Sequence, residues 1–311
     1  MIGQKWKTFL CIVILAAGFA SCDSKTEDVS DTPVLEVTIS GTEVHMISSS
    51  FVGQEFKILV ALPHKYKESD RTYPVLYVLD ANGTFGMMTE TVRLLNFTME
   101  MCDMIIVGLG YPVNSFREAM SLRARDYTPS EDEDTWGMIL KFVPEAPPSL
   151  GTGGAKKFLN FMREELFPFI DANFRTKPDD RILAGSSFGG LFSLYTLFHQ
   201  PDTFNRYIIG SPSIWWDKEI TFTYESEYAK NHSDLPARVF ISVGSLEERE
   251  GNQRDAELAM VSNMHRLAKI LRERNYPNLR LTTHVFEDET HISVTPATLS
   301  RGIRMVYQVK K

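Results

Sequence analysis

"RILAGSSFGGLFSLY", residues 181–195, joins an apolar run to a helix-like run through a glycine-flanked serine. A strand that passes directly into a helix through so tight a turn forces its middle residue, Ser187, into strained backbone geometry. The strain projects the hydroxyl above the sheet, and the small neighbours Gly185 and Gly189 keep clear of it. The same turn puts the Phe188 amide at a helix start, where an unpaired N–H can stabilise an oxyanion. Ser186 sits one position early for this geometry. The pentapeptide alone says little, since glycine and serine are common. Its strand–turn–helix setting makes Ser187 a candidate nucleophile.

The surroundings repeat the pattern. "YPVLYVLD" (73–80), "MIIVGLG" (104–110), "RYIIGS" (206–211) and "RVFISVG" (238–244) are nearly continuous apolar runs, as in strands buried on both faces. Helical patterns at 154–174, 188–199 and 256–274 lie between several of them, and Pro168 should kink or restart the first. Such alternation predicts an α/β fold with a mostly parallel sheet covered on both faces. Upstream, "VLEVTIS", "EVHMISS" and "FKILVALP" read as antiparallel strands. Residues 126–153, rich in acids, prolines and glycines, read as a long loop over one sheet end.

A serine hydroxyl needs a base to become a useful nucleophile. In α/β-hydrolases the chain order is serine, acid, histidine. His291, in "VFEDETHISVTP", lies just past the expected last strand, 279–286. His284 falls within that strand, His265 within a helix, and His199 at a helix end. Glu247 lies three residues beyond Gly244, where the orienting carboxylate is expected, and Glu257 is the second choice.

Composition and targeting set further limits. The chain has 311 residues, 43% hydrophobic and 23% charged, with a net charge of −7. There is no basic block, which disfavours nucleic acid as a partner. Lys5 and Lys7 precede the apolar stretch 9–20, which is too short to span a bilayer, and "FASC" ends at Cys22. This reads as a lipoprotein signal over residues 1–21, with Cys22 acylated and holding the protein on a membrane of a bacterial envelope. Residues 22–34, polar and free of aromatics, read as a flexible tether, and 35–311 as one catalytic domain. Of the three cysteines, only Cys102 then remains free, so no internal disulfide is expected. The seven histidines show no metal-ligand spacing, and neither metal nor organic cofactor is expected.

The block from Gly153 to Asp217, with "YPVLYVLDANGTF", "RARDYTP" and "VGSLEE", resembles an esterase branch of the α/β-hydrolases. That branch includes enterobactin-type siderophore esterases, feruloyl esterases, S-formylglutathione hydrolases and mycolyltransferases. The likeness spans roughly 35–311 and is greatest to the siderophore-esterase-like members. It implies an α/β-hydrolase fold, Ser187 as nucleophile, His291 as base, and a second oxyanion donor at the Asn82 backbone N–H. Some relatives work without a well-placed acid, which leaves Glu247 open.

Trp215 and Trp216, after a strand that should end on the catalytic side, are candidates for stacking on substrate or for the core. Arg125 is either an anion contact or half of a structural pair with Asp126. The expected activity is hydrolysis of a carboxylic ester through an acyl-enzyme, on a small-molecule (siderophore-type) or glycan-linked substrate. An acyltransferase on the same fold and a non-catalytic surface ligand-binding lipoprotein are the alternatives.

Overall fold

A computed structural model describes residues 36–114, 116–140 and 148–307. The expected signal and the whole of the expected tether, Cys22 included, lie outside these residues.

One eight-stranded sheet organises the described residues. Its strands are β1 (Thr42–Ser49), β2 (Gln54–Ala61), β3 (Tyr73–Val78), β4 (Ile105–Gly110), β5 (Thr176–Ser186), β6 (Arg206–Gly210), β7 (Arg238–Gly244) and β8 (Arg280–Phe286). They are ordered β1-β2-β4-β3-β5-β6-β7-β8. β1 and β2 pair antiparallel, as do β2 and β4, and every other pairing is parallel. β3 and β4 are buried at every residue, which is why they read as unbroken apolar runs rather than alternating ones. The edge strand β1 alternates and stays largely exposed.

Successive residues on the inner strands feed opposite apolar layers. Leu76, Val78, Ile106, Ile182, Ile208 and Phe240 pack with helices α1 (Ala81–Phe97) and α10 (Val294–Val306). Val75, Tyr77, Val107, Leu183, Ile209 and Ile241 face the other layer. That layer includes α2 (Phe116–Tyr127), α3 (Glu133–Leu140), α4 (Ala155–Phe161), α5 (Phe167–Asn173) and α6 (Phe188–His199), then α7 (Trp216–Asn231) and α9 (Met260–Glu273). Residues Ile39–Lys311 group as one compact unit.

Three local expectations are corrected. "VLEVTIS" supplies no strand among its described residues 36–40: Gly41 turns the chain with φ 65° and pairing begins at Thr42. The 126–153 stretch is not wholly loop. Asp132 caps the backbone N–H of Thr135 at 3.0 Å, and Trp136 of α3 is buried. The 256–274 helix is two, α8 (Gln253–Leu258) and α9, broken where Ala259 adopts φ 44°. At Pro168 the helix continues through a π turn at Met162–Leu166, a local widening that accommodates a residue lacking an N–H.

Candidate active site

In a parallel sheet, residues just beyond the carboxyl ends of the strands converge on one rim. Asp80 follows β3, Ser187 follows β5, Ser211 follows β6, Glu247 follows β7 and His291 follows β8. A cavity of about 940 Å³ opens over this rim, and Asp80, Arg123, Ser186, Ser187, Phe188, Glu247 and His291 are among its lining residues.

Ser187 has φ 60° and ψ −120°, the strained turn that the sequence predicts. Its N–H donates to Gly210 O at 2.9 Å, and its carbonyl accepts from Leu191 N at 2.9 Å, so the turn is held from both sides. Gly185 permits it: a Cβ there would lie 2.4 Å from Gly189 O. Phe188 opens α6, so its N–H lacks an acceptor in the preceding turn.

The imidazole of His291 is oriented by Glu247. His291 Nδ1 donates to Glu247 Oε2 at 2.5 Å, leaving Nε2 as the ring's free basic atom. Glu247 is buried and its other oxygen is occupied, accepting from Ser211 Oγ at 2.5 Å and Gly244 N at 2.7 Å. The carboxylate is therefore fixed from both ends. Glu257 lines the cavity but bonds Gln253 Nε2 at 3.0 Å. Of the two acids, Glu247 is the one brought to His291.

Asn82 does not reach the cavity lining. α1 already begins at Ala81, which turns Asn82 toward the end of β4. There its amide donates to Tyr111 O at 2.9 Å and accepts from Tyr111 N at 2.8 Å. Asp80 takes the rim position instead, with φ 56°. Its carboxylate accepts from Arg123 Nε at 2.7 Å and Arg123 Nη2 at 3.0 Å.

Arg123 was not singled out in the sequence. Its Nη2 also donates to Ser186 O at 3.3 Å, and its guanidinium stands 5.4 Å from the Phe188 ring centroid. Burial opposes its charge, and the Asp80 carboxylate more than offsets that, so its pKa lies above the ordinary guanidinium value. A permanent cation thus sits against the residues on either side of Ser187.

Arg125 points elsewhere. It pairs with Asp126 through two hydrogen bonds of 2.7 and 3.0 Å and reaches Gln54 Oε1 at 2.6 Å; it is the structural half of "RARDY". The tryptophans also divide. Trp215 lines the cavity and donates from Nε1 to Met260 Sδ at 3.2 Å, whereas Trp216 is fully buried and donates to Ser130 Oγ. Most of the remaining wall is apolar, with Met120, Met138, Ile139, Leu258 and Ile292.

Comparison with known proteins agrees with this geometry. Residues 48–288 match the family model described as "Putative esterase". The chain is 32% identical over 275 residues to the ferri-bacillibactin esterase BesA of Bacillus subtilis, covering 86% of this chain and 90% of that protein. It is 28% identical to the siderophore triacetylfusarinine C esterase of Aspergillus fumigatus, over 82% and 90% of the two chains. Among solved structures, the BES protein of Bacillus cereus superposes with a TM-score of 0.75 at 33% identity, covering 89% of this chain and 98% of that one. A carboxyl-end rim carrying a strained serine and a carboxylate-oriented histidine, on a chain matched along most of its length, places this protein in the esterase family with an α/β-hydrolase-like fold.

Proposed function

We propose that this serine esterase hydrolyses siderophore-type esters. Ser187 Oγ attacks the ester carbonyl while His291 Nε2 takes its proton. The negative charge that develops on the carbonyl oxygen is met by the Phe188 N–H and the Arg123 guanidinium. The tetrahedral intermediate collapses, the alcohol leaves with the proton from His291, and an acyl-enzyme remains on Ser187. Water, deprotonated by His291, then attacks the acyl carbon; the bond to Ser187 Oγ breaks as His291 returns the proton to that oxygen, and the acid is released. Glu247 orients the imidazole and stabilises its protonated form. The observation that carries this reading is the convergence of Ser187, His291, Glu247 and Arg123 on one cavity. Its volume and apolar wall suit a bulky substrate, and the similarity to two siderophore esterases supports the substrate class.

The test is chromatographic analysis of products from iron-loaded and iron-free siderophore esters, beside feruloyl and acetyl esters, with the wild type and Ser187→Ala. Cleavage of siderophore esters that depends on Ser187 is expected. Serine-independent cleavage, or turnover of the simple esters alone, would overturn it.

We also infer that residues 1–21 are removed and Cys22 is acylated, which would hold the enzyme on an envelope membrane. The support is the positive start, the short apolar stretch and "FASC" ahead of Cys22. Mass analysis of the amino-terminal peptide after expression in bacteria tests it; an unmodified Cys22 in exported protein would refute it.

A further inference from the structure

We propose that the pole of the domain opposite the catalytic rim is a lipid-facing surface, with Leu94, Phe97 and Met99 entering the headgroup–acyl boundary of a bilayer; this rests on the acylation of Cys22. Three observations converge on that pole.

The first is an apolar patch where polar residues belong. α1 buries Phe85, Met88 and Val92 against the sheet, so its outward stripe should be polar. Leu94 and Phe97 instead stand 68% and 86% exposed, and Met99, just beyond the helix, 87%. Met99 has φ 58° at a helix end where glycine or asparagine is usual. Large apolar side chains grouped on a surface mark an interaction site more often than isolated ones do.

The second is where the chain joins the domain. Thr42 pairs with Ala61, and Ala61 with Ile106 near the start of β4. β1 therefore begins at the amino-terminal edge of the parallel strands. Just before it, Ser40 O accepts from Arg93 Nη2 at 2.5 Å on α1. α1 itself leaves the catalytic rim at Ala81 and ends at Phe97 beside the same edge. The patch and the attachment of the amino-terminal segment thus share one pole, and the cavity opens at the other.

The third is charge. Beside the patch, Arg93 pairs with Glu90 at 2.8 Å and Arg304 with Glu100 at 3.0 Å, so the patch itself offers apolar insertion and its contribution should be insensitive to salt. The exposed Arg238 and Arg280, which open β7 and β8 at the same edge, are the cations for which the high-salt measurement controls. Among the described residues no helix is long and apolar enough to cross a membrane, so the contact is interfacial. A lipid on Cys22 confines the domain near the bilayer without orienting it; the patch would turn the cavity outward.

Cys102, exposed in the segment that follows Met99, provides the probe. The processed full chain is labelled there with an environment-sensitive fluorophore and mixed with phosphatidylcholine–phosphatidylethanolamine vesicles, with acylation of Cys22 verified separately by mass. The expected result is a blue shift that persists at high salt and is lost in Leu94→Ser/Phe97→Ser/Met99→Ser, while ester turnover is retained. No shift in the acylated wild type, or an equal shift in the triple variant, would overturn the proposal. So would a shift that occurs without vesicles and tracks a dimer in sedimentation, which would assign the patch to a second copy. An unacylated Cys22 would refute the anchor reading by itself, and the vesicle shift would still report on the patch.

Discussion

Glu247 bridges two loops: one carboxylate oxygen accepts a hydrogen bond from His291 Nδ1 at 2.5 Å while the other is held by Ser211 and Gly244. This separates orientation from proton transfer. Glu247→Gln keeps most of the packing but can present an amide N–H to the imidazole, favouring the wrong tautomer. We expect kcat to fall by roughly 10²–10⁴-fold with KM little changed. Ser187→Ala and His291→Ala should each cost more, about 10⁴-fold or beyond. Steady-state kinetics on a chromogenic ester checks all three, and a Glu247→Gln enzyme with wild-type kcat would remove the carboxylate from the mechanism.

The buried pair of Arg123 and Asp80 allows stability and catalysis to be measured apart. Arg123→Met strands the Asp80 carboxylate, and breaking such a pair costs about 3–5 kcal/mol. The double variant Arg123→Met/Asp80→Asn removes both charges and should recover most of that loss. It should not recover activity, because the cation proposed to face the oxyanion is gone, an effect of order 10²–10³-fold in kcat. Denaturant unfolding and kcat measured on the same samples decide the matter. Recovery of both together would make Arg123 purely structural.

Adjacent tryptophans should behave as opposites. Trp215→Ala opens the cavity wall and is expected to raise KM for a bulky ester while leaving the domain folded. Trp216→Ala empties a fully buried site and should cost about 3–5 kcal/mol of stability. Calorimetry and KM values on the two variants test the division; a raised KM in Trp216→Ala with unchanged stability would contradict it.

Much of the site was legible because backbone demands wrote it into the sequence. The turn at Ser187 needs small neighbours, and the inner strands need unbroken apolar runs. Glu247 and His291 follow the ends of consecutive strands β7 and β8. What stayed hidden depended on rotation about an axis. Arg123 and Arg125 are two residues apart on α2, hence roughly 200° apart around it, and nothing in "RARDY" tells which one faces the cavity. Asn82 follows the same logic: it lies within α1, which begins at Ala81, and its side chain turns to Tyr111 rather than to the cavity. Ser211 lacked any motif, since its role is to hold an acid 36 residues away. Asp132, three residues before Thr135, was a readable cap signal for α3 hidden in an acidic stretch.

Gly244 supplies the last prediction, because it controls how closely the acid and histidine loops approach. A Cβ at this position would lie 2.1 Å from Glu289 O and 2.7 Å from the carbonyl carbon, both backbone atoms that cannot rotate away. The same Glu289 carbonyl accepts from Leu246 N at 3.0 Å, so the two loops are already stitched together there. Gly244→Ala must push them apart, at a cost of about 1–3 kcal/mol. The shift also lengthens the Glu247–His291 hydrogen bond, so kcat should fall further than stability alone explains. Kinetics below the melting transition, with circular dichroism to confirm the folded state, would show it. A folded Gly244→Ala enzyme with normal kcat would mean that the loops adjust without moving the imidazole.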